Sequence, residues 1–574
     1  MMKLFKYLKK YTFFIVLALT FVVFQGLLNL YLPDLMADIV NQGVTRGDVD
    51  YILSVGGKML LVTLLNVLSA IVSTFFAAKV SMLYGKDLRS MVFKKVMNFS
   101  LYEIDKFGTS TLITRNTNDI TQIQTVVFML LRMVALAPVM AIGGTVMAIS
   151  KSPKLTMVLL VSIPVMSIAV YFIAKYTMPL FRSMQKKIDK LNRILRENLT
   201  GVRVIRAFTK TNYEKQRFEK ANEDLTQTAL RVNRIFALVF PLIMLIMNFT
   251  IIFLFWIGAV QVDKGSLQVG DIMAVMQYVM QIMFSFIMIS MIFIFIPRAS
   301  ASAERVYKVI SSESKIKDPE KPILPKGKGE IEFKDVTFYF DEAKEPALED
   351  ITFKAHPGEF IGIIGSSGSG KSTLVNLLLR FYDITEGEIL IDGINIKQIP
   401  QKKLRKKISL IPSRPVIFSG TIEENVRIGK EDATEEEIIE ALKIAQAWEF
   451  VSKLPKGIKT EIAQGGTNLS GGQKQRLAIA RGIIGKRDIY IFDDCFSALD
   501  FKTDSRLRLA LREKLKDSTV IIVSLRVATI MNSDKIIVLD NGKIVGIGTH
   551  HELMKTSTIY REIVASQLSE EEIA

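Results

Sequence analysis

The stretch Gly365-Ser-Ser-Gly-Ser-Gly370-Lys371-Ser372 fits the phosphate-binding pattern G-x-x-x-x-G-K-[ST]. An apolar run, Phe360-Ile-Gly-Ile-Ile364, precedes it, and a helix-forming run over 372–382 follows it. A strand, a glycine-rich turn and a helix in this order aim several backbone N–H groups at one phosphate chain. Lys371 can then reach the phosphates, and the Ser372 hydroxyl can ligate Mg²⁺. The sequence predicts a nucleotide-binding loop formed by Gly365, Ser366, Ser367, Gly368, Ser369, Gly370, Lys371, Ser372 and Thr373.

A second signal is the apolar run Ile489-Tyr-Ile-Phe492 followed by Asp493. Four consecutive apolar residues predict a strand of a parallel sheet that is buried on both faces. An aspartate at the end of such a strand is placed to hold Mg²⁺ through water beside the phosphate loop. The two signals together predict ATP as the ligand and Mg²⁺, held by Ser372 and Asp493, as its cofactor.

A third signal, Leu469-Ser-Gly-Gly-Gln473, lies between the first two. With it, the motifs resemble those of the ATP-binding cassette (ABC) exporters, over nearly the whole chain. The resemblance implies an α/β P-loop NTPase domain of ABC type. In that family the signature residues bind the γ-phosphate of an ATP held by the other subunit, as suits the start of a helix predicted over 472–484. These residues are Ser470, Gly471, Gly472 and Gln473.

Two further elements match the family. Phe340 stands where an aromatic residue stacks on adenine, although the neighbouring Tyr339 could take that role. Ser497-Ala-Leu-Asp500 matches the loop through which the two nucleotide-binding domains of the dimer interact. The resemblance thus implies an ATP site shared between two subunits.

Three positions depart from the family pattern in ways that affect hydrolysis. Asp494 replaces the glutamate that orients or deprotonates the attacking water, so the carboxylate is withdrawn by one methylene. A misplacement of about 1 Å can lower the rate on the order of a hundredfold. Leu525 replaces the switch histidine and cannot hydrogen-bond phosphate, and Ser413 replaces a glutamine and is too short to reach Mg²⁺ and water.

These departures favour a degenerate ATP site in a heterodimer of two different half-transporters. This chain's site would hold ATP and hydrolyse it poorly, while its intact signature would complete the partner's hydrolytic site. A sluggish homodimer, or substitutions made in the laboratory, remain alternatives. A non-hydrolysing, ATP-gated regulator or channel is a further alternative, which the intact signature disfavours.

The sequence of the N-terminal half predicts a membrane domain. The chain has 574 residues with 49% hydrophobic content and a mean hydropathy of +0.29, values that are high for a soluble protein. Each apolar stretch is long enough to span the hydrocarbon core. The fold class predicted for this half is an α-helical polytopic membrane domain with six transmembrane helices, at 11–32, 56–80, 126–149, 155–176, 235–262 and 272–296.

Basic residues before the first span and in the long segments after spans two and four place both termini and the nucleotide-binding domain in the cytoplasm. The predicted domains are 1–314 for the membrane domain, 315–329 for a linker and 330–574 for the nucleotide-binding domain. The net charge of +17 is explained by attraction to anionic lipid, and no nucleic-acid motif accompanies it. A single cysteine, Cys495, excludes an internal disulfide. The expected location is a bacterial plasma membrane.

The segments between spans two and three and between spans four and five are too long for turns and predict helices continued into the cytoplasm. By resemblance, 107–119 matches the first coupling segment, and the second lies near 211–218. The substrate is less defined. Soft side chains in span six favour an amphipathic drug, with lipid or peptide as alternatives; these side chains are Met273, Met276, Gln277, Met280, Gln281, Met283, Phe284 and Phe286.

Overall fold

The computed structural model describes residues 2–341 and 343–567 of the chain. Its contacts divide the chain into two units. The first consists of Met1–Met97 and Thr109–Ser312, and the second consists of Asn98–Gly108 and Glu313–Ala574. The short segment 98–108 therefore belongs with the C-terminal unit, although the chain on both sides of it belongs to the first.

Among the described residues, the first unit has six helical segments that are long and apolar enough to cross a membrane, which confirms the predicted count. We number them membrane helices 1 to 6 in chain order. The helix Val158–Thr200 has 43 residues and is about 65 Å long, about twice the hydrocarbon thickness, so the predicted extensions beyond the membrane are present. The segments are Lys3–Val44, Val49–Met97, Thr109–Lys151, Pro153–Thr200, Thr211–Asp263 and Val269–Ile289, and the last continues as a helix to Ser311.

Membrane helices 1, 3 and 6 pack closely because glycines stand at their contacts. A Cβ at Gly26 would lie 2.5 Å from Val139 Cγ1, and one at Gly143 would lie 2.3 Å from Leu30 Cδ1. Small residues at such contacts let helix backbones approach each other. The same core contains Met283, with Met276 and Phe286 packed against it. These three side chains therefore stabilise the helix bundle, and the prediction that they line a substrate cavity is not supported at these positions.

Three short segments of the first unit are π-helical, namely Ile39–Val44, Arg115–Asp119 and Leu130–Val134. A π-turn inserts a residue into the helical ladder and widens the helix locally. At the end of the second segment, the buried Asp119 carboxylate accepts hydrogen bonds from Ser302 at 2.9 Å and from Arg305 Nε at 2.8 Å. This contact joins membrane helix 3 to the extension of membrane helix 6.

The second unit contains three sheets. The central sheet has the strand order β12-β11-β3-β10-β9-β6, with the middle strands parallel, and an antiparallel sheet has the order β2-β1-β4-β5. The strands are β1 Ile331–Phe338, β2 Leu348–Ala355, β3 Phe360–Gly365, β4 Glu386–Ile391, β5 Ile394–Asn395, β6 Ile408–Ile411, β7 Gly420–Thr421, β8 Glu461–Ile462, β9 Ile489–Asp493, β10 Thr519–Val523, β11 Lys535–Asp540 and β12 Lys543–Gly548.

Helices cover both faces of the central sheet and form a helical subdomain after β6. The segment 434–454 contains two helices, of which the first begins with a capping box between Thr434 and Glu437. The helices of eight or more residues in this unit are Lys371–Leu378, Glu435–Ile444, Gly471–Ile483, Phe501–Lys514 and Thr558–Ala565. The shorter α-helices are Gln401–Lys407, Ile422–Arg427, Trp448–Val451, Val527–Ile530 and His550–Thr556.

The two predicted coupling segments each follow a short helix. The short helix that packs with the nucleotide-binding unit is Leu101–Phe107, just before the predicted segment at 107–119. A capping box between Ser100 and Glu103 starts this helix, and Gly108, at φ 73°, ends it. A second short helix, Val202–Ala207, precedes the predicted 211–218, which forms the first turns of the helix Thr211–Asp263; the coupling role of 211–218 stays a prediction.

Candidate nucleotide-binding site

The predicted site residues follow four neighbouring strands of the central sheet. The phosphate loop follows β3, Leu525 follows β10, Asp493 ends β9, and Ser413 follows β6. These strands lie in the order β3-β10-β9-β6 and run parallel, so their carboxyl ends share one edge of the sheet. In α/β sheets of this kind, ligands bind outside the carboxyl ends of the strands.

The phosphate loop needs its glycines for space and for backbone conformation. A Cβ on Gly365 would lie 2.1 Å from the Leu539 carbonyl oxygen, so only glycine fits there. Gly368 and Gly370 have φ values of 87° and 98°, which residues with a Cβ rarely adopt. Gly370 is also the residue from which the helix Lys371–Leu378 starts, one residue earlier than predicted. The exposed Ser366 and Ser367, the buried Ser369 and the half-buried Thr373 complete the predicted loop.

The Lys371 ammonium lies over this loop. Nζ donates to the carbonyl oxygens of Gly365 at 2.9 Å and Ser366 at 2.6 Å, and to Ser369 Oγ at 3.2 Å. Burial lowers the pKa of Lys371, and the carboxylates of Asp494 and Asp493 oppose that shift. A cationic donor is therefore held at the loop where phosphate oxygens would lie.

Ser372 and Asp493 come together at the end of β9. The Ser372 hydroxyl lies 3.5 Å from Asp493 Oδ2. Burial raises the pKa of Asp493, and the neighbouring Asp494 raises it further, so a cation at this position would relieve an unfavourable negative charge. A hydroxyl and a carboxylate are the oxygen ligands that Mg²⁺ prefers, and Mg²⁺ commonly completes its shell with phosphate and water. The two side chains therefore fit a nucleotide-bound Mg²⁺.

Asp494 is held in the left-handed backbone region at φ 46°, and its N–H donates to the Val523 carbonyl at 2.8 Å. Burial raises the pKa of its carboxyl, and a backbone hydrogen bond from Leu525 and the charge of Arg526 lower it. The hydrogen bond to Val523 thus holds the Asp494 backbone beside the end of β10. The Leu525 side chain is 44% exposed and adds no polar group to this edge.

Ser413 is exposed two residues after β6, and in the described part of the chain its hydroxyl has no hydrogen bond. Its neighbour Pro412 accepts a hydrogen bond from Gln475 Nε2 at 3.3 Å, which ties this loop to the helix Gly471–Ile483. The loop after β6 is therefore anchored by its backbone, with a short side chain at the position where the family has a glutamine.

Phe340, two residues after β1, belongs to a cluster of aromatic side chains. Phe340 is 41% exposed and packs edge-on against Phe338 and Tyr382, with ring centroids 4.9 Å and 5.6 Å away. Tyr339 is less exposed than Phe340. Phe340 is therefore better placed than Tyr339 to stack on a flat ligand.

The signature residues start the helix Gly471–Ile483. Ser470 caps it, and Ser470 and Gln473 form a reciprocal capping box, with the Ser470 N–H 2.8 Å from Gln473 Oε1. A Cβ on Gly471 would meet nothing within 4 Å, and one on Gly472 would lie 3.3 Å from the Ala498 carbonyl. Between these residues and the phosphate loop of the same chain, no hydrogen bond exists within the described ranges. The signature is open to an anion brought from outside.

Two residues at this edge of the sheet were not predicted. The Gln567 side chain accepts from the Val527 N–H at 2.9 Å and donates to the Leu525 carbonyl at 2.8 Å, which fixes the segment after β10. Arg526 donates to the Ser497 carbonyl at 3.1 Å, and the Ser497 hydroxyl donates to the Asp494 carbonyl at 3.0 Å. Neither contact has a local sequence signal, since Gln567 lies far along the chain from the segment that it binds.

The fold and the site define an ATPase coupled to a multi-pass membrane domain, whose nucleotide-binding unit is cytoplasmic. The chain belongs to the ABC transporter family. Residues 15–286 match the family of the ABC transporter transmembrane region, and residues 348–497 match the ABC transporter family.

Three comparisons support this assignment. The chain is 43% identical to an uncharacterized ABC transporter ATP-binding protein of Mycobacterium tuberculosis, with 94% of each chain covered. It is 28% identical to the ATP-dependent lipid A-core flippase of Vibrio parahaemolyticus, with 99% of this chain and 98% of that protein covered. The solved structure of a bacterial Atm1-family ABC exporter with ATP bound matches with a TM-score of 0.81 and 26% identity, over 97% of this chain and 98% of that one. The chain is therefore an ABC exporter half-transporter.

Proposed function

We propose that this chain is one subunit of a heterodimeric ATP-driven exporter. Its own site, with Lys371, Ser372 and Asp493 at its centre, binds Mg²⁺ and ATP and hydrolyses ATP slowly. Its signature, Ser470 to Gln473, completes the hydrolytic site of a second half-transporter. Its cargo is an amphipathic drug or lipid, moved out of the cytoplasm or the inner leaflet of the membrane.

The observation that carries the proposal is the set of side chains at three positions after β6, β9 and β10, namely Ser413, Asp494 and Leu525. The Leu525 side chain can neither donate nor accept, and Ser413 is short and exposed. Asp494 carries a carboxyl group that is one methylene shorter than that of the family's glutamate. Water positioned in line with a γ-phosphate needs groups within hydrogen-bond reach of it, and these three positions provide little.

This chain's own residues suffice for holding the nucleotide. Lys371 supplies a positive charge, the loop from Gly365 to Gly370 supplies backbone N–H groups, and Phe340 supplies an exposed ring for adenine. Mg²⁺, when bound by Ser372 and Asp493, neutralises charge on the phosphates. ATP would therefore bind here and remain intact through many cycles.

The need for a partner is supported by apolar side chains at the cytoplasmic tip of membrane helices 4 and 5. Three of them are largely exposed to water: Leu199 at 70%, Val204 at 60% and Phe208 at 72%. They flank or lie on the short helix Val202–Ala207, beyond the membrane-crossing part of the two long helices. Exposed apolar patches of this kind mark interaction surfaces, and a second half-transporter is the partner we assign to them.

The lipid alternative for the substrate draws support from the Vibrio parahaemolyticus relative, whose name describes it as a lipid A-core flippase. A homodimer is the second candidate for the assembly. It is favoured by one observation, the retention at Asp494 of a carboxylate, a group that can serve as a general base.

The test is to tag this chain, purify it from its own host in lipid nanodiscs and identify any bound half-transporter by mass spectrometry. Two variants separate the two sites. Ser470→Ala should lower ATP turnover of the complex by more than tenfold, because the partner's site loses its signature contact. Lys371→Ala should abolish the retention of uncleaved radiolabelled ATP and leave the partner's own catalytic residues intact.

A third variant combines Asp494→Glu, Leu525→His and Ser413→Gln and should add a second hydrolysing site, raising turnover about twofold or less while shortening ATP retention. A single species that contains only this chain and turns over ATP at full rate would instead establish the homodimer. If the triple variant shows no added turnover, this result would contradict the claim that hydrolysis at this site is slow because these three groups are missing.

A further inference from the structure

The side chain that this function leaves unexplained is Arg132, in the π-helical turn Leu130–Val134 of membrane helix 3. Its Nε donates to Thr74 Oγ1 at 2.7 Å, and its Nη1 donates to Gln25 Oε1 at 2.7 Å. These residues belong to membrane helices 2 and 1, so the guanidinium lies inside the first unit between three helices. Both acceptors are neutral, and the arginine keeps its full positive charge.

The depth of the Arg132 guanidinium in the membrane follows from the position of its partner Gln25. Gln25, only 9% exposed, is halfway along the 27-residue helix Thr12–Asp38, about 20 Å from either end. The hydrocarbon core is about 30 Å thick, so the Arg132 guanidinium lies close to the level of the bilayer centre. Charged residues at this depth are rare and usually mark a substrate or ion pathway.

No carboxylate of this chain can neutralise Arg132 at that level. The membrane-crossing parts of all six helices lack aspartate and glutamate altogether, over 12–33, 51–86, 120–151, 153–188, 225–262 and 272–303. Two of the five guanidinium N–H groups are used by Thr74 and Gln25, and the other three have no hydrogen bond with a residue that the structure describes. The helix bundle thus orients a cation and leaves most of its donors for another acceptor.

Polar groups continue from Arg132 along membrane helix 1 towards its Asp38 end. Asn29, one turn after Gln25, accepts from Asn66 Nδ2 at 3.2 Å, and its backbone carbonyl lies 3.4 Å from Gln281 Nε2. Gln281 Oε1 and the Tyr278 hydroxyl are buried without a hydrogen-bond partner among the described residues. A polar stripe with unused hydrogen-bonding capacity therefore leads away from the guanidinium.

We infer that Arg132 is the headgroup-binding residue of the transport pathway, and that the transported amphiphile carries an anionic head, a phosphate or a carboxylate. Planar guanidinium groups pair with these anions through two parallel N–H bonds, and the three remaining donors of Arg132 suit that geometry. The apolar tail would lie against the bundle. This inference rests on the proposed export function, and it narrows the cargo from amphiphiles in general to anionic ones.

The test measures binding in the absence of nucleotide, so that it does not depend on which ATP site hydrolyses or on the identity of the partner. The purified complex in phosphatidylcholine nanodiscs is titrated with dodecyl phosphate and dodecanoate as anions, and with dodecyltrimethylammonium and dodecyl maltoside as cationic and neutral probes. Inorganic phosphate forms a separate arm, which distinguishes an amphiphile from a free anion.

Three variants decide the role of the charge. Arg132→Gln keeps a hydrogen-bond donor but removes the charge, and should weaken binding of both anions about 10- to 100-fold. Arg132→Lys keeps the charge and should recover at least part of that loss. Arg89→Gln is the matched control, since Arg89 also donates to a neutral glutamine, Gln124 at 2.9 Å, near the C-terminal end of membrane helix 2, and should leave binding unchanged.

Equal binding of all four amphiphiles, or equal binding of dodecyl phosphate to the wild type and Arg132→Gln, would overturn the inference and leave Arg132 as a link between helices. Binding of inorganic phosphate without dodecyl phosphate would overturn the assignment to an amphiphile. Failure of both anions to bind would mean that the partner supplies a neutralising carboxylate, which also overturns it.

Discussion

Replacing Glu103 with alanine should release the helix Leu101–Phe107 from the nucleotide-binding unit. The Glu103 side chain is only 4% exposed and accepts four hydrogen bonds. Two come from Ser100, through its N–H at 2.9 Å and its hydroxyl at 2.7 Å. The other two come from the Lys315 N–H at 3.1 Å and the Ser314 hydroxyl at 3.4 Å. One carboxylate thus joins the start of this helix to the segment that leaves membrane helix 6.

The free energy that Glu103→Ala should cost follows from these contacts. Loss of an N-terminal cap costs about 1 kcal/mol, and loss of hydrogen bonds to a charged group costs about 1.5–3 kcal/mol. We therefore expect local opening of the helix Leu101–Phe107 to become easier by about 3 kcal/mol, a factor of roughly 100 in the opening equilibrium. Hydrogen exchange measured by mass spectrometry on peptides that cover 100–108 reports this as a loss of protection of the same order.

Glu103→Gln is the matched control, because glutamine also serves in capping boxes and retains one acceptor oxygen. It should lose only about a tenth to a third as much protection as Glu103→Ala. Unchanged exchange over 100–108 in Glu103→Ala would refute the reasoning, as would a loss confined to 313–320 with the helix itself still protected.

Three other variants test the nucleotide-binding unit. Gly365→Ala should destabilise it by about 1–3 kcal/mol and abolish ATP binding, because the new Cβ would lie 2.1 Å from the Leu539 carbonyl; a normal melting temperature with retained binding would contradict this. Tyr382→Phe keeps the ring and removes the 2.7 Å hydrogen bond to Asp105, so hydrogen exchange of the helix Leu101–Phe107 should rise about fivefold. Tyr382→Trp would also change the ring packing and would not isolate the effect of this bond. Asp494→Asn should raise the melting temperature of the nucleotide-free protein at neutral pH. The folded-state pKa of Asp494 is raised above its ordinary 3.8, so its ionisation costs stability as the pH rises through that pKa, and the gain should shrink as the pH falls towards about 4.

The parts of the fold that could be predicted from the sequence are those that depend on local sequence patterns. Glycine spacing predicted the loop after β3 because Gly368 and Gly370 adopt positive φ values that few other residues tolerate. Continuous apolar runs predicted β9, which is buried within the sheet, and the six membrane helices, whose outer surfaces suit lipid. The α/β fold class was implied by the family resemblance, whereas the strand order β3-β10-β9-β6, which brings the site residues to one edge, is known only from the structure.

Contacts between distant parts of the chain were not predictable in the same way. The helix Leu101–Phe107 was not predicted, although Ser100, Glu103 and Gly108 carry recognisable start and stop signals for it. Gln567 binds the segment after β10 through its side chain, and Arg132 is bound by Gln25 and Thr74 from two other helices. Residue type indicates that such groups need partners, but only the packing of the helices identifies the partners.

The placement of 98–108 with the C-terminal unit has a consequence for how the protein is made. The helix Leu101–Phe107 leaves the ribosome long before its binding surface exists, since Lys315 and Tyr382 are synthesised more than 200 residues later. Until then the ring of Tyr102, which ends up edge-on against Tyr382 at 5.1 Å, has nothing to cover it. Completion of the nucleotide-binding unit therefore depends on a cytoplasmic segment that connects two membrane helices made much earlier. A nucleotide-binding domain produced as an isolated fragment would lack part of its own surface, and correct membrane insertion becomes a condition for its maturation.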